Sequence, residues 1–373
     1  MSKRNRNDKP LSIICAILFV TFSFIYIYAF QGELLALMQD YLSKGATTSN
    51  SFWAATIITI LLYLLQNGIN RISKLHGRWE AVSYIPSCVL LALITDVNDG
   101  TMLYSASQWL WAIPITTLLY IGLVWVNRQY RELRSNTLVS YLWPNLLCFS
   151  LFFLLTAQIS NHAPAPHMEL AAWKYLHDDR YEDVLQVGKH SDDYNQELTA
   201  LRNLAMFKTG TLAERMFHYP QPFGADGLIF NRYNKQTALY GAPEFYSRLG
   251  AEPYGGESGR AFAQRLASKS DTVDYRDFYL AALLLDKDLD TFVKESASIA
   301  EDESIAPIHY QEAWLLYNGL HPDTPMTFAA DSAIVKRFAD YRALQEEHAD
   351  NAIVASNLAK RKFGNTYWCY FDY

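Results

Sequence analysis

The sequence predicts an all-α protein in two parts: a polytopic membrane helix bundle of about five spans, then a soluble α-helical repeat domain. Three observations carry this. Five apolar stretches, each close to the length of a bilayer crossing, fill the first 160 of the 373 residues. From Met168 onward the apolar residues recur at helical spacing in short pieces. No segment alternates apolar and polar residues for long between turn signals, as a half-buried strand would.

The expected spans are 11–30, 51–66, 81–97, 108–126 and 137–159, and all five lack Lys, Arg and Glu. A helix needs about 20 mostly apolar residues to cover a hydrocarbon core of about 30 Å. The second and third stretches are short by that measure, unless 67–72 and Trp79 or Tyr104 extend them. Basic residues fall on alternate connections: Lys3, Arg4, Arg6 and Lys9 at the amino terminus, Arg71, Lys74 and Arg78 in the second loop, and Arg128, Arg131 and Arg134 in the fourth. The first loop holds only Lys44 and the third none. Positive charge marks the cytoplasmic side. Five crossings therefore put the amino terminus in the cytoplasm of a bacterial inner membrane and the large domain in the periplasm. A cleaved signal peptide is disfavoured, because the first apolar run is too long and ends in Tyr28-Ala29-Phe30-Gln31, without the small residues that cleavage needs.

Charge separates the two parts. Residues 1–159 carry 11 basic and 7 acidic side chains, and residues 160–373 carry 21 and 31, so the soluble part is acidic by about ten charges. An acidic domain lacks the basic face that would displace counterions from nucleic acid, which excludes that class of partner. Cys15, Cys88 and Cys148 lie in spans, leaving Cys369 alone in the soluble part. The domain must therefore be held by an apolar core rather than by disulfides.

A linker is expected at 160–167, where Pro164 and Pro166 favour extended chain. In the domain at 168–373, Met168, Ala172, Trp173 and Leu176 share one helical face, and Tyr181, Val184 and Leu185 form a second after the break at 178–180. Further helices are expected near 198–205, 212–217, 244–249, 258–267, 275–285, 290–298, 307–317, 331–345 and 351–362. Helices this short must stack on neighbours to bury a face.

The pairing resembles a degenerate tetratricopeptide-like array. Ala172, Tyr175, Tyr181 and Val184 fit the consensus unit approximately; Gly210 and Leu212 fit the next, but Arg215 replaces a small residue. The stretch 240–250 (Tyr-Gly-Ala-Pro-Glu-Phe-Tyr-Ser-Arg-Leu-Gly) and the ending Phe363-Gly-Asn-Thr-Tyr-Trp resemble an uncharacterised inner-membrane protein family of Bacteroides-type bacteria. That resemblance implies architecture and compartment and brings no catalytic residue with it.

Candidate chemistry is sparse. His177 and Asp179 form one His/Asp cluster, and His190 and Asp193 another, the ligand types a Zn²⁺ or Mn²⁺ would take. Both clusters sit at helix breaks, and Asp193 with Gln196 reads better as a capping box, so no metal or other cofactor is expected. The acidic run 286–290 lacks the glycine and distal glutamate of a calcium loop and reads as a turn. Ser258 reads as a helix cap, and no phosphate-binding loop or nucleophile elbow occurs. Within the spans only Asp96 approaches an intramembrane ionisable group.

Of the 25 tyrosines, most lie in the outer half. Six aromatics crowd the last eleven residues, and Tyr367, Trp368, Tyr370, Phe371 and Tyr373 are candidates for gripping a partner, or else for capping the open face of the last repeat. The expected function is a scaffold that is anchored in the lipid bilayer and binds another envelope protein. The alternatives are a membrane glycan- or lipid-processing enzyme and a transporter accessory subunit.

Overall fold

The computed structural model of the protein describes residues 8–43, 50–96, 106–129, 138–159, 164–189, 191, 194–230, 241–269, 275–301 and 306–373. These divide into two compact units, one up to Leu170 and one from Ala171 onward. All regular structure among the described residues is helical.

In the first unit α1 (Asp8–Ile25) continues through a π-helical turn, Tyr26–Phe30, into α2 (Gly32–Ser43), a helix not expected from the sequence. Gln31 closes the wide turn: its backbone N–H reaches the carbonyls of Tyr26 and Ile27, and its side-chain amide donates to the Tyr26 hydroxyl at 3.2 Å. Then come α3 (Ser51–Ser73), α4 (Ile85–Thr95), α5 (Ala106–Gln129) and α6 (Leu138–Ile159). Among the described residues four helices are long and apolar enough to cross a membrane: Lys9–Phe30, Ser51–Ser73, Gln108–Gln129 and Val139–Ile159.

The second of these outruns the expected 51–66 because its polar end satisfies itself. Asn67 donates to the carbonyl of Tyr63 at 2.9 Å and Ser73 to that of Ile69 at 3.2 Å. The stretch expected as the third span, 81–97, is not one continuous long helix. It is a pair of 3₁₀ turns, Gly77–Trp79 and Ala81–Tyr84, followed by the 11-residue α4. At 1.5 Å per residue α4 covers about 16 Å, half of a hydrocarbon core. Pro86 in its first turn lacks an N–H and fixes where the helix starts. Asp96 stops it, accepting the Trp109 indole N–H at 2.6 Å and so tying α4 to the start of α5.

The 3₁₀ turns are buried at Gly77 and from Glu80 to Tyr84. Irregular backbone away from water needs internal partners, and Asn145, next to Pro144 in α6, supplies them. Its Oδ1 accepts the Ala81 N–H at 2.6 Å, and its Nδ2 donates to the carbonyls of Gly77 at 2.9 Å and Tyr141 at 2.7 Å. From α3, Gln66 donates to Ser83 Oγ at 2.7 Å. Leu11, Cys15 and Phe19, one turn apart on α1, close the core around these groups with Leu62, Tyr84 and Phe149.

The second unit takes up α7 (Pro164–His177) from Ala171 and continues with α8 (Tyr181–Gln186), α9 (Gln196–Lys208) and α10 (Leu212–Arg215). It goes on with α11 (Ala242–Leu249), α12 (Gly259–Lys269), α13 (Arg276–Leu285), α14 (Leu289–Ala300) and α15 (Ile308–Leu320). It ends with α16 (Ser332–Glu347), α17 (Ala352–Phe363) and α18 (Tyr367–Asp372). Consecutive helices from α12 to α17 pack on one another, and α15 also packs against α10 and α18. Helices α9, α13 and α15 are buried almost all round and form the centre of this unit.

Three local expectations change. The linker 160–167 is helical from Pro164, since proline is tolerated in a first turn; 160–163 lie outside the described residues. The cap of α9 is Asn195, whose side chain accepts the Leu198 N–H at 2.8 Å, while Gln196 donates to the carbonyl of Asp226. The aromatic ending forms α18 rather than trailing after the last helix.

Replacing Asn145 with Leu leaves the Ala81 N–H without its partner in an apolar interior and the Gly77 carbonyl with only the Glu80 N–H. The variant is expected to lose about 2–4 kcal/mol of stability, read as a lower melting temperature of the protein purified in detergent. Leu147→Ala, on an exposed position of the same helix, should change it little.

Candidate functional site

The site is built on α15. His309 and Glu312 lie one turn apart and are both almost fully buried. His309 Nδ1 stands 2.8 Å from Glu312 Oε2, so an Nδ1–H donates to the carboxylate. The same oxygen accepts the backbone N–H of Tyr367 at 2.8 Å, at the start of α18. Thr366 caps that helix, and at its far end Asp372 accepts from the Tyr341 hydroxyl at 2.5 Å and from Gln345 at 2.7 Å. These bonds fix the rotation of α18, sending Tyr367 and Trp368 into the core with no exposed surface. Phe217, following α10, packs 5.4 Å from the ring of Tyr367 and 4.8 Å from that of Tyr370.

With one face of α18 fixed, the other borders a cleft of about 1000 Å³. Its walls come from four places: Lys189, Ser191 and Tyr194, the loop from Phe217 to Pro222, Lys287 in the turn between α13 and α14, and residues between Lys360 and Tyr373. Lys189, Lys287 and Lys360 put three ammonium groups on its rim, and no side-chain carboxylate lines it among the described residues. Lys287 donates to the carbonyl of Phe371 at 3.0 Å and stands 5.2 Å from the centre of the Tyr370 ring. Lys360 lies 5.8 Å from that of Tyr373. Behind the wall, Arg202 is 2% exposed and stacks 5.2 Å from the Tyr219 ring, with no carboxylate in ion-pair range among the described residues.

Nearby acids are occupied elsewhere. Asp286 accepts the Ala225 N–H at 2.9 Å, Asp288 caps α14 and pairs with Arg260, and Asp372 is held by Tyr341 and Gln345. Among the described residues, three ammonium groups therefore line the cleft on a domain that is acidic overall. Burial pushes the Cys369 thiol up to about 11, which keeps it protonated at neutral pH. Burial, together with the nearby His309 and Arg215, lowers the His218 pKa below the ordinary histidine range and leaves its imidazole neutral. Such a surface is suited to holding an anionic, partly apolar group.

The sequence candidates fall in different places. Tyr370 and Tyr373 line the cleft, Phe371 packs 5.8 Å from the Tyr367 ring, and Tyr367 and Trp368 are core residues with no surface for a partner. His177 and Asp179 belong to a network around Arg248. His177 Nδ1 is 3.1 Å from Glu244, while Asp179 accepts from Arg248 and from the Tyr181 hydroxyl. The Arg248 guanidinium holds Asp179 below the usual carboxylate range. That network ties α7 to α11 and leaves neither group facing a shared ligand point. His190 and Asp193 lie outside the described residues, and among those described no three His, Cys, Asp or Glu side chains gather as metal ligands. The lysines were missed because nothing local marks them: Lys287 sits in a run read as acidic, and Lys189 and Lys360 are 171 positions apart.

Two measurements probe the site. Glu312→Ala strips the acceptor from the Tyr367 N–H and the partner from His309, and should cost about 3 kcal/mol. Near-ultraviolet circular dichroism during heating would register this as earlier loss of aromatic packing, with Glu312→Gln less affected. His218 gives a pH signature. Because its folded pKa lies below the unfolded value of about 6.5, the unfolded chain binds protons more readily. Its contribution is complete above that pH and is lost as the pH falls through it. The melting temperature should drop between pH 7 and 5.5, and His218→Gln should flatten the slope.

No curated protein and no solved structure matches the chain. A family model does, over residues 101–252 and 256–373, which is most of the sequence and includes every side chain of the cleft. The chain belongs to that family, a family of unknown function designated DUF6057.

Proposed function

We propose that the protein is a membrane-anchored binding protein of the bacterial inner membrane, which holds its helical domain in the periplasm and engages another envelope protein there. The observation that carries this is the cleft beside α18, where aromatic rings and three lysines from separate elements converge. The stacking of consecutive helices from α12 to α17 supports a tetratricopeptide-like array, with α18 covering α15 as a terminal cap.

The orientation rests on charge. If the broken segment 77–96 crosses the bilayer, Arg128, Arg131 and Arg134 fall on the same side as Arg71, Lys74 and Arg78, and the connection before α5, which has no basic residue, falls opposite. If the segment turned back, those three arginines would face the periplasm. Its two 3₁₀ turns and α4 together cover nearly all of 77–95. The buried bonds to Asn145 and Gln66 let such a segment lie at membrane depth.

A photoreactive phenylalanine derivative in place of Tyr373 should crosslink a second envelope protein in intact cells. The same residue in place of Ile353, 76% exposed on α17, should not. In the same strain an Asp323→Cys variant should react with an impermeant maleimide once the outer membrane is opened. Absence of an adduct at 373, or protection of the cysteine until the inner membrane is lysed, would sink the proposal.

A further inference from the structure

We propose that the occupant of the cleft is an acidic, aromatic-containing peptide segment of the partner, its carboxylates received by Lys189, Lys287 and Lys360. This rests on the cleft being the protein-binding site. Three features of the cleft select that ligand.

The first is charge placement. The residues from 160 onward carry 21 basic and 31 acidic side chains, so an acidic segment is repelled over most of the domain. At the cleft three lysine side chains from separate elements converge, and among the described residues no side-chain carboxylate lines it with them. The described acids nearby are held in place: Asp286 by the Ala225 N–H, Asp288 by the Thr291 N–H and Arg260, and Asp372 by Tyr341. Among the described residues, none of the three lysines has an ion pair that an incoming carboxylate would displace. Repulsion elsewhere adds discrimination, since specificity is a difference between wanted and unwanted contacts.

The second is that the wall's amide and one of its tyrosine hydroxyls are already bonded within the fold. Among the described residues Gln221 is the one side-chain amide in the wall, and both its ends are used: Oε1 accepts from Asn203, and Nε2 donates to Asn203 and to the carbonyl of Met216. The Tyr370 hydroxyl donates to the carbonyl of Leu285 at 2.7 Å. Sugar hydroxyls need convergent donors and acceptors to be told from water, and these groups are committed to the fold. A carboxylate needs only the charge that the lysines provide.

The third is the wall between the charges. Phe217, Pro220, Pro222 and the tyrosines give an apolar floor of rigid rings, the kind of surface that receives aromatic anchors in protein interfaces. A cleft of about 1000 Å³ lies at the upper end of the range for small-ligand pockets and has room for several peptide residues.

The test uses the full chain in neutral detergent and a fluorescein-labelled peptide of alternating glutamate and tyrosine, read by anisotropy. A matched peptide with glutamine for glutamate is the comparison. The glutamate peptide should bind at least ten-fold tighter and weaken several-fold as salt rises. Lys189→Gln, Lys287→Gln and Lys360→Gln combined should weaken it at least ten-fold while the melting temperature holds, because glutamine at 287 retains a donor for the Phe371 carbonyl. Lys294→Gln, an exposed lysine away from the cleft, should have no effect. Equal binding of the two peptides, an unaffected triple variant, an equal loss in Lys294→Gln, or tighter binding of a trigalacturonate would each overturn the proposal. The crosslink at position 373 separates the two levels. An adduct that persists in the triple variant refutes acidic recognition and leaves the protein-binding role standing, whereas no adduct in either background removes that role itself.

Discussion

One carboxylate oxygen, Glu312 Oε2, organises the second unit. It receives the ring N–H of His309 from its own helix and the backbone N–H of Tyr367 from the last one. A buried carboxylate is costly unless its lone pairs are filled, and these two donors fill them from elements more than fifty residues apart. The bond sets which side of α18 faces inward. Tyr367 and Trp368 go to the core as a consequence, and Tyr370 and Tyr373, three and six positions on from Tyr367, are left beside the cleft. The helical period thus splits the aromatic ending into a packing half and a surface half.

The first unit solves a related problem by related means. The segment 77–84 is irregular and buried, so its backbone groups need partners that water cannot supply there. A carboxamide suits this better than a carboxylate because it both donates and accepts without a charge to desolvate. Asn145 uses both functions, bridging Gly77 and Ala81 while returning a bond to Tyr141 in its own helix. Its position next to Pro144 is consistent with that role, since α6 is already irregular in hydrogen bonding where the proline removes an N–H.

Much of the fold was legible in the sequence because it depends on local patterns. The helices from α11 to α17 fall within a few residues of where apolar spacing, Gly250, Pro307 and Asn351 place them. What failed to read was whatever depends on distant partners. The expected span at 81–97 is apolar enough to cross, yet Pro86, the left-handed Gly77 and the Asp96 stop shorten its helix, and only the bonds to Asn145 and Gln66 make the broken form tolerable. The π turn and α2 follow from Gln31 reaching back to Tyr26, a contact no periodicity signals. At the site, the aromatic ending was conspicuous by composition, but composition cannot tell Trp368, inside, from Tyr373, outside. His177 and Asp179 drew notice as ligand types, and Arg248, about seventy positions away, had already claimed that corner.

The distribution of charge links fold to role. On a domain with an excess of ten acidic side chains, the three lysines of the cleft come together from separate elements. The described carboxylates beside them are fixed in place: Asp286 by a loop amide, Asp288 by capping α14 and pairing with Arg260, Asp372 by a tyrosine and a glutamine. Lys287 donates to the carbonyl of Phe371 and stands near the Tyr370 ring, and Lys360 stands near that of Tyr373. The bonds that hold α18 in place therefore also fix what these two lysines rest against. Any change that loosens α18 should alter both the packing of the core and the arrangement of charge at the cleft.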